Sequence, residues 1–134
     1  MHKERKMKSQ TLIAVRDVAA SSRWYQTLLD CRSGHGGPEY EQLMRGDDMF
    51  MQLHAWHAHD HPNLGDPDAA PHGYGVLLWF QVDEFDAAVA RARKLQADIL
   101  EGPKLNLRAQ HREIWLRDPD GYVVVLASAY GDVE

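Results

Sequence analysis

The sequence predicts an α+β fold made of two tandem βαββ(β) modules. Three observations carry this reading. Strand-like and helix-like segments follow one another in the same order in each half of the 134 residues. A segment rich in His, Asp, Pro and Gly, residues 57–75, separates the halves. When the halves are aligned on Val15 and Val82, Leu12 falls on Trp79, Val18 on Phe85, Ala20 on Ala87 and Leu28 on Leu95. After a small length change Arg45 falls on Arg117 and Leu53 on Leu126. Such agreement marks an internal repeat of one supersecondary unit. A unit of this kind leaves one apolar sheet face that must be covered by its copy or by another chain.

The elements follow from local pattern. Residues 1–9, with Lys3, Arg5, Lys6 and Lys8 and no apolar period, form a mobile leader. TLIAV at 11–15 is a short strand, Asp17 an N-cap, and Val18, Tyr25, Leu28 and Leu29 lie along one stripe of a helix. Gly34, Gly36, Gly37 and Pro38 break the chain before strands at 40–45 and 49–56, joined by the Gly46-Asp47-Asp48 turn, with a further short strand near Cys31. VLLWFQV at 76–82 is a buried strand. Asp83 caps a helix in which Phe85, Val89, Ala92 and Leu95 or Gln96 face the core. Gly102-Pro103 reads as a stop. Strands at 111–117 and 122–128 flank the turn Asp118-Pro119-Asp120-Gly121.

Composition narrows the function. With 44% hydrophobic and 26% charged residues the chain builds one core and a solvated surface, module one at about 10–56 and module two at about 76–129. A net charge of -5 argues against nucleic acid as the partner, and no apolar run is long enough for a membrane span. Cys31 is the only cysteine, so no intrachain disulfide forms, and a cytoplasmic location is expected. Ser21, Ser22 and Cys31 carry no visible catalytic partners and read as helical surface and core. Arg108, Arg112 and Arg117, with His111 among them, read as solvated charges.

The Val15-Arg16-Asp17-Val18 stretch, Trp24-Tyr25, Leu28-Leu29 and above all Arg117-Asp118-Pro119-Asp120-Gly121-Tyr122 resemble the vicinal oxygen chelate superfamily of glyoxalases, bleomycin resistance proteins and extradiol dioxygenases. The resemblance covers residues 10–129 and implies a single domain whose modules form a curled mixed sheet around a cleft, often within a homodimer. Asp30 departs from the pattern, since the family usually has Gly at that helix end. The resemblance also implies four metal-ligand positions, one on the first and one on the last strand of each module. Here those are Gln10 and Gln52 in module one, Leu77 and Val125 in module two. Amides are weak ligands, and Leu77 and Val125 have no lone pair at all. The expectation is a member with no metal cofactor.

Strand alternation places Gln10, Leu12 and Ala14 on one side together with Phe50, Gln52, His54 and Trp56, and on the matching side of module two Leu77, Trp79, Gln81 and Val125. Gln10, Leu12, Phe50, Gln52, His54, Trp56, Leu77, Trp79 and Val125 are therefore the expected ligand-binding cleft: aromatic and aliphatic walls with two amides and one imidazole. Any one aromatic residue taken alone fits a core role better; shared parity with the ligand positions favours the cleft. The face of Trp115 stays open, because bulges on its strand are not visible in sequence. His57, His59 and His61 alternate as a metal site would require, but with Pro62 and Gly65 beside them and no partners to orient the rings they read as a solvated loop, with a possible role as a lid.

The expected function is metal-independent sequestration of a small aromatic or cationic molecule, the chain acting as a homodimer. The alternative is a metal-dependent lyase, isomerase or dioxygenase of the glyoxalase type, its ligands moved to His54, Gln52 and the histidine-rich loop. A third reading is a structural dimer with an empty cleft.

Overall fold

The computed structural model describes residues 7–56, 61–69 and 73–134, in two compact units. The first carries Thr11–Val15 (β1), Val18–Leu29 (α1), Arg32–Gly36 (β2), Tyr40–Arg45 (β3) and Asp48–Ala55 (β4), with a single 3-10 turn at Pro62–Leu64. The second carries Leu78–Gln81 (β5), Phe85–Lys94 (α2), Asp98–Asn106 (β6), His111–Arg117 (β7) and Val123–Ala127 (β8). The sheet orders are β1-β4-β3-β2 and β5-β8-β7-β6, so the two units share one topology with the first and last strands parallel. Lys3, Arg5 and Lys6 of the expected leader and His57 and His59 of the segment between the halves lie outside the described residues.

In the first unit Ile13, Val15, Leu43, Met51 and Leu53 point to one face and are buried together with Val18 and Tyr25 of α1. Asp17 starts that helix as expected, its Oδ1 accepting from Ala20 N at 3.0 Å. The helix ends on Asp30 in the left-handed region at φ 52, with Cys31 N donating to Gln26 O at 3.1 Å. This is the conformation for which glycine is favoured. Ser21 and Ser22 are a correction, for both are buried; Ser22 Oγ donates to Glu41 Oε2 at 2.6 Å, and Ser33 Oγ to Oε1 at 2.6 Å. The apolar stripe of α1 was legible, but not that a buried carboxylate on β3 would demand hydroxyl donors.

In the second unit Leu78, Ile114, Leu116, Val124 and Leu126 are buried with Phe85, Ala88, Val89 and Ala92 of α2. The Asp118-Pro119-Asp120-Gly121 turn is held by Asp118 Oδ1, which accepts from Asp120 N at 2.9 Å and Tyr122 N at 2.8 Å. Two expectations fail here. The N-cap of α2 is Glu84, not Asp83, and it makes no side-chain cap bond. Gly102-Pro103 does not stop the chain. The nine-residue β6 runs through it, with register shifts between Ile99 and Glu101 and between Glu101 and Lys104 that absorb the pair. Gly102 sits at φ 82, and a Cβ there would lie 2.7 Å from the Glu113 carbonyl oxygen, so the crossing over β7 requires glycine. Arg112 is also not a free surface charge: its guanidinium bonds Asp86 at 2.9 Å and Asp132 at 3.0 Å and lies over the Phe85 ring.

The register also corrects the repeat alignment. Gln42 pairs with Gln52 as Trp115 pairs with Val125, and Tyr40 pairs with His54 as Glu113 pairs with Ala127. Arg45 and Arg117 are therefore one residue out of structural correspondence. Counted from Gln42 and Trp115, Arg45 lies three residues on and Arg117 two.

Candidate functional site

Each sheet has one face turned away from its helix, and residues paired across strands share it. On the first sheet that face has two rows, Leu12–Gln52–Gln42 and Ala14–His54–Tyr40. The polar members are bonded to one another. Tyr40 OH donates to Gln52 Oε1 at 2.6 Å, Gln42 Nε2 donates to Tyr40 OH at 3.1 Å, and Gln52 Nε2 donates to the Gln10 carbonyl at 2.9 Å. Gln10 Nε2 donates to the Met49 carbonyl at 3.3 Å.

His54 is buried, and its Nδ1 lies 2.7 Å from the Ala55 carbonyl. A carbonyl only accepts, so Nδ1 carries the proton and in the neutral ring Nε2 keeps the lone pair. The His61 ring packs edge-on to it at 4.9 Å between centroids. Together with Leu12, Asn63 and Leu64 these two rings line a cavity of about 240 Å³. Phe50 is half-buried, and Trp56, also half-buried, lies in the turn beyond β4.

The second sheet has the same two rows with other residues, Trp79–Val125–Trp115 and Gln81–Ala127–Glu113. Trp115, whose face was open, thus stands on the same face as Trp79, one on each side of Val125, their ring centroids 6.4 Å apart and edge-to-face. Trp79 is 46% exposed, while Val125 is fully buried beneath the pair. Leu77 precedes β5 and is exposed.

Behind the tryptophans lies a group that sequence reasoning passed over. Glu113, 2% exposed, accepts from Trp115 Nε1 at 3.0 Å on Oε1, and on Oε2 meets His111 Nε2 at 2.7 Å and Asn106 Nδ2 at 3.4 Å. Burial pushes its carboxyl up, but the hydrogen bonds from Trp115, His111 and Asn106 outweigh burial and hold it below the ordinary carboxylate range. The signal was present: His111, Glu113 and Trp115 alternate along a strand whose other face is Ile114 and Leu116. Cys31 offers no nucleophile at neutral pH, because burial, only partly offset by Arg45, pushes its thiol up to about 11.

The four ligand positions implied by resemblance do not suit a divalent metal. Leu77 and Val125 have no donor atom, and the Gln52 amide oxygen already accepts from Tyr40. Among the described residues no three His, Cys, Asp or Glu side chains are grouped to hold an ion.

The family model described as Glyoxalase/Bleomycin resistance protein/Dioxygenase superfamily matches residues 9–126. The chain belongs to this superfamily. Solved structures with the same fold include a glyoxalase/bleomycin resistance protein/dioxygenase family enzyme from Burkholderia phytofirmans PsJN, with 22% identity and a TM-score of 0.75 over 91% of this chain and 98% of that one. The fosfomycin resistance protein FosX from Mesorhizobium loti has 20% identity and a TM-score of 0.69 over 94% of both chains. FosX from Listeria monocytogenes, in complex with Mn(II) and sulfate, has 14% identity and a TM-score of 0.70 over 94% of this chain and 92% of that one. No curated protein sequence matches this superfamily member significantly. No helix among its described residues is long and apolar enough to cross a membrane.

Proposed function

We propose that the chain binds a small aromatic or cationic molecule on the Trp79–Val125–Trp115 row, needs no metal ion to do so, and sequesters the molecule unchanged. The observation that carries this reading is the half-exposed Trp79 beside Trp115, with aliphatic Val125 between them where the family has a metal-ligand position. The exposed Trp79 ring, braced edge-on by Trp115, offers a flat ligand a face to stack on, and a net charge of -5 favours a cation. In this proposal residues 10–129 act as one domain in the cytoplasm and the chain is a homodimer. Apolar Leu100 and Leu105, exposed on the outermost strand β6, support the homodimer, and light scattering at several concentrations tests it.

The main test is a titration of tryptophan fluorescence with N-methylquinolinium and with neutral quinoline in EDTA. Saturable quenching is expected, with the probe recovered unchanged. Trp79→Ala is expected to weaken binding at least tenfold, about 1.5 kcal/mol or more, whereas Leu12→Ala leaves it within about twofold. Quenching that depends on added metal, or that survives Trp79→Ala, sinks the reading.

A second reading rests on His54. Its Nδ1 bond to the Ala55 carbonyl is the kind of outer contact that orients a metal-bound imidazole, and His61 and Asn63 line the same cavity. A metal-dependent lyase, isomerase or dioxygenase with ligands relocated there requires about one metal ion per chain, lost in His54→Ala. Elemental analysis of protein purified without chelators separates the two readings.

A further inference from the structure

The carboxylate of Glu113 can only accept hydrogen bonds, so the proton between it and His111 resides on Nε2 of the imidazole. In the neutral ring the other nitrogen, Nδ1, then keeps its lone pair. Among the described residues Nδ1 has no hydrogen-bond partner, and it is not one of the buried polar atoms cut off from solvent. The imidazole lies 5.8 Å from the Trp79 ring, centroid to centroid, tilted by 52°. Asn106 and Trp115 hold the carboxylate from either side, so its position does not depend on His111 alone. Lys104 is the nearby cation; it bonds Glu101 and lies 6.0 Å from the centre of the Trp115 ring. The arrangement is a buried carboxylate, an imidazole oriented by it, and an open acceptor nitrogen beside an exposed aromatic ring.

We propose that His111 accepts a proton from an acidic O–H or N–H group on a ring-bearing ligand stacked against Trp79, with Glu113 as the positioning residue. In this step the ligand's O–H or N–H bond breaks and its electron pair stays on the ligand. The proton joins the lone pair of Nδ1, and the resulting imidazolium is neutralised by the Glu113 carboxylate. The inference rests on the stacking reading above and narrows its ligand class to phenols, enols and acidic N-heterocycles, in preference to quaternary ammonium compounds.

The test uses the whole chain and 3-nitrophenol, in buffer about one unit below the probe's own pKa, where the free probe is mostly protonated and an ordinary imidazole is mostly neutral. Tryptophan quenching reports stacking and phenolate absorbance reports proton transfer in a single titration. In the wild type both are expected to rise together to saturation, with the phenolate fraction of bound probe severalfold above that of free probe. His111→Gln is expected to keep the quenching and lose the phenolate rise. Glu113→Gln is expected to lower it, with Glu113→Asp restoring part. Quenching without a phenolate rise in the wild type overturns the inference and leaves stacking intact, and a rise that persists in His111→Gln overturns it as well. Failure of 3-nitrophenol, N-methylquinolinium and quinoline alike to quench defeats the stacking reading and this inference together. Should the Glu113 variants fail to fold, nitrogen NMR of the unliganded wild type in alkaline buffer, where imidazoles are neutral, decides. The proton of the neutral ring is expected on Nε2 of His111, and a proton on Nδ1 instead overturns the assignment.

Discussion

The two sheets have the same strand order and the same two rows of residues on the face turned away from the helix, yet their chemistry is opposite. Where the first has Leu12–Gln52–Gln42, the second has Trp79–Val125–Trp115; where the first has His54 and Tyr40, the second has Ala127 and Glu113. The first face is a net of amide and hydroxyl bonds that satisfy one another. The second is aromatic, with its single carboxylate buried behind the rings. A duplicated backbone therefore does not duplicate a site. Register decides which positions face outward, and side-chain identity alone decides what they do.

The sharpest way to break this comparison is at the equivalent pair Glu113 and Tyr40. Removing the carboxylate with Glu113→Ala leaves three donors, including the Trp115 N–H, without their acceptor, and is expected to cost about 2–4 kcal/mol in urea denaturation at neutral pH. Tyr40→Phe removes one hydroxyl from the net and is expected to cost about 1 kcal/mol. The Glu113 effect also has a pH signature. Its folded pKa is depressed, so its stabilisation is complete above the unfolded value and is lost as pH falls through the folded one. The gap between wild type and Glu113→Ala should narrow below about pH 4. A gap that stays constant into acid would show that the carboxylate is not held ionised.

A smaller effect separates the outer strands. Gly102→Ala forces a Cβ against the Glu113 carbonyl oxygen at positive φ and is expected to cost about 1–3 kcal/mol. Gly34→Ala on β2 meets only the side chain of Met44, which has rotamers to yield with, and should cost less. Equal costs for the two would mean that the β6 crossing is not rigid. The smallest expected effects are stabilising. Asp30 and Gln96, in the turns that end the two helices, both take left-handed backbone at φ 52 and φ 54. Asp30→Gly and Gln96→Gly should each add about 0.5–1 kcal/mol, read as a rise in Tm, with ligand binding unchanged.

Most of the fold was legible because hydrophobic period and turn chemistry agreed along most of the chain: Thr11–Val15, Tyr40–Arg45 and His111–Arg117 fall where alternation put them. Strand β6 was not legible. Its residues are exposed nearly throughout and carry no alternation, and Gly102-Pro103 has the composition of a break. Within the site, parity correctly grouped Leu12 with Gln52 and Trp79 with Val125, since those strands pair without a shift. Trp115 could not be assigned until the pairing showed no bulge between it and Val125. The Glu113 group went unread because a charged residue near a hairpin is usually solvated, and only tertiary structure supplies the donors that make burial tolerable.

Strand β6 lies at the rim of its sheet and is nine residues long, the sort of surface on which one chain adds to another without limit. Two interruptions of its pairing and the missing amide hydrogen of Pro103 deny a stacking neighbour a continuous ladder of donors and acceptors. The feature that hid this strand in the sequence is thus also its safeguard against fibrillar self-association.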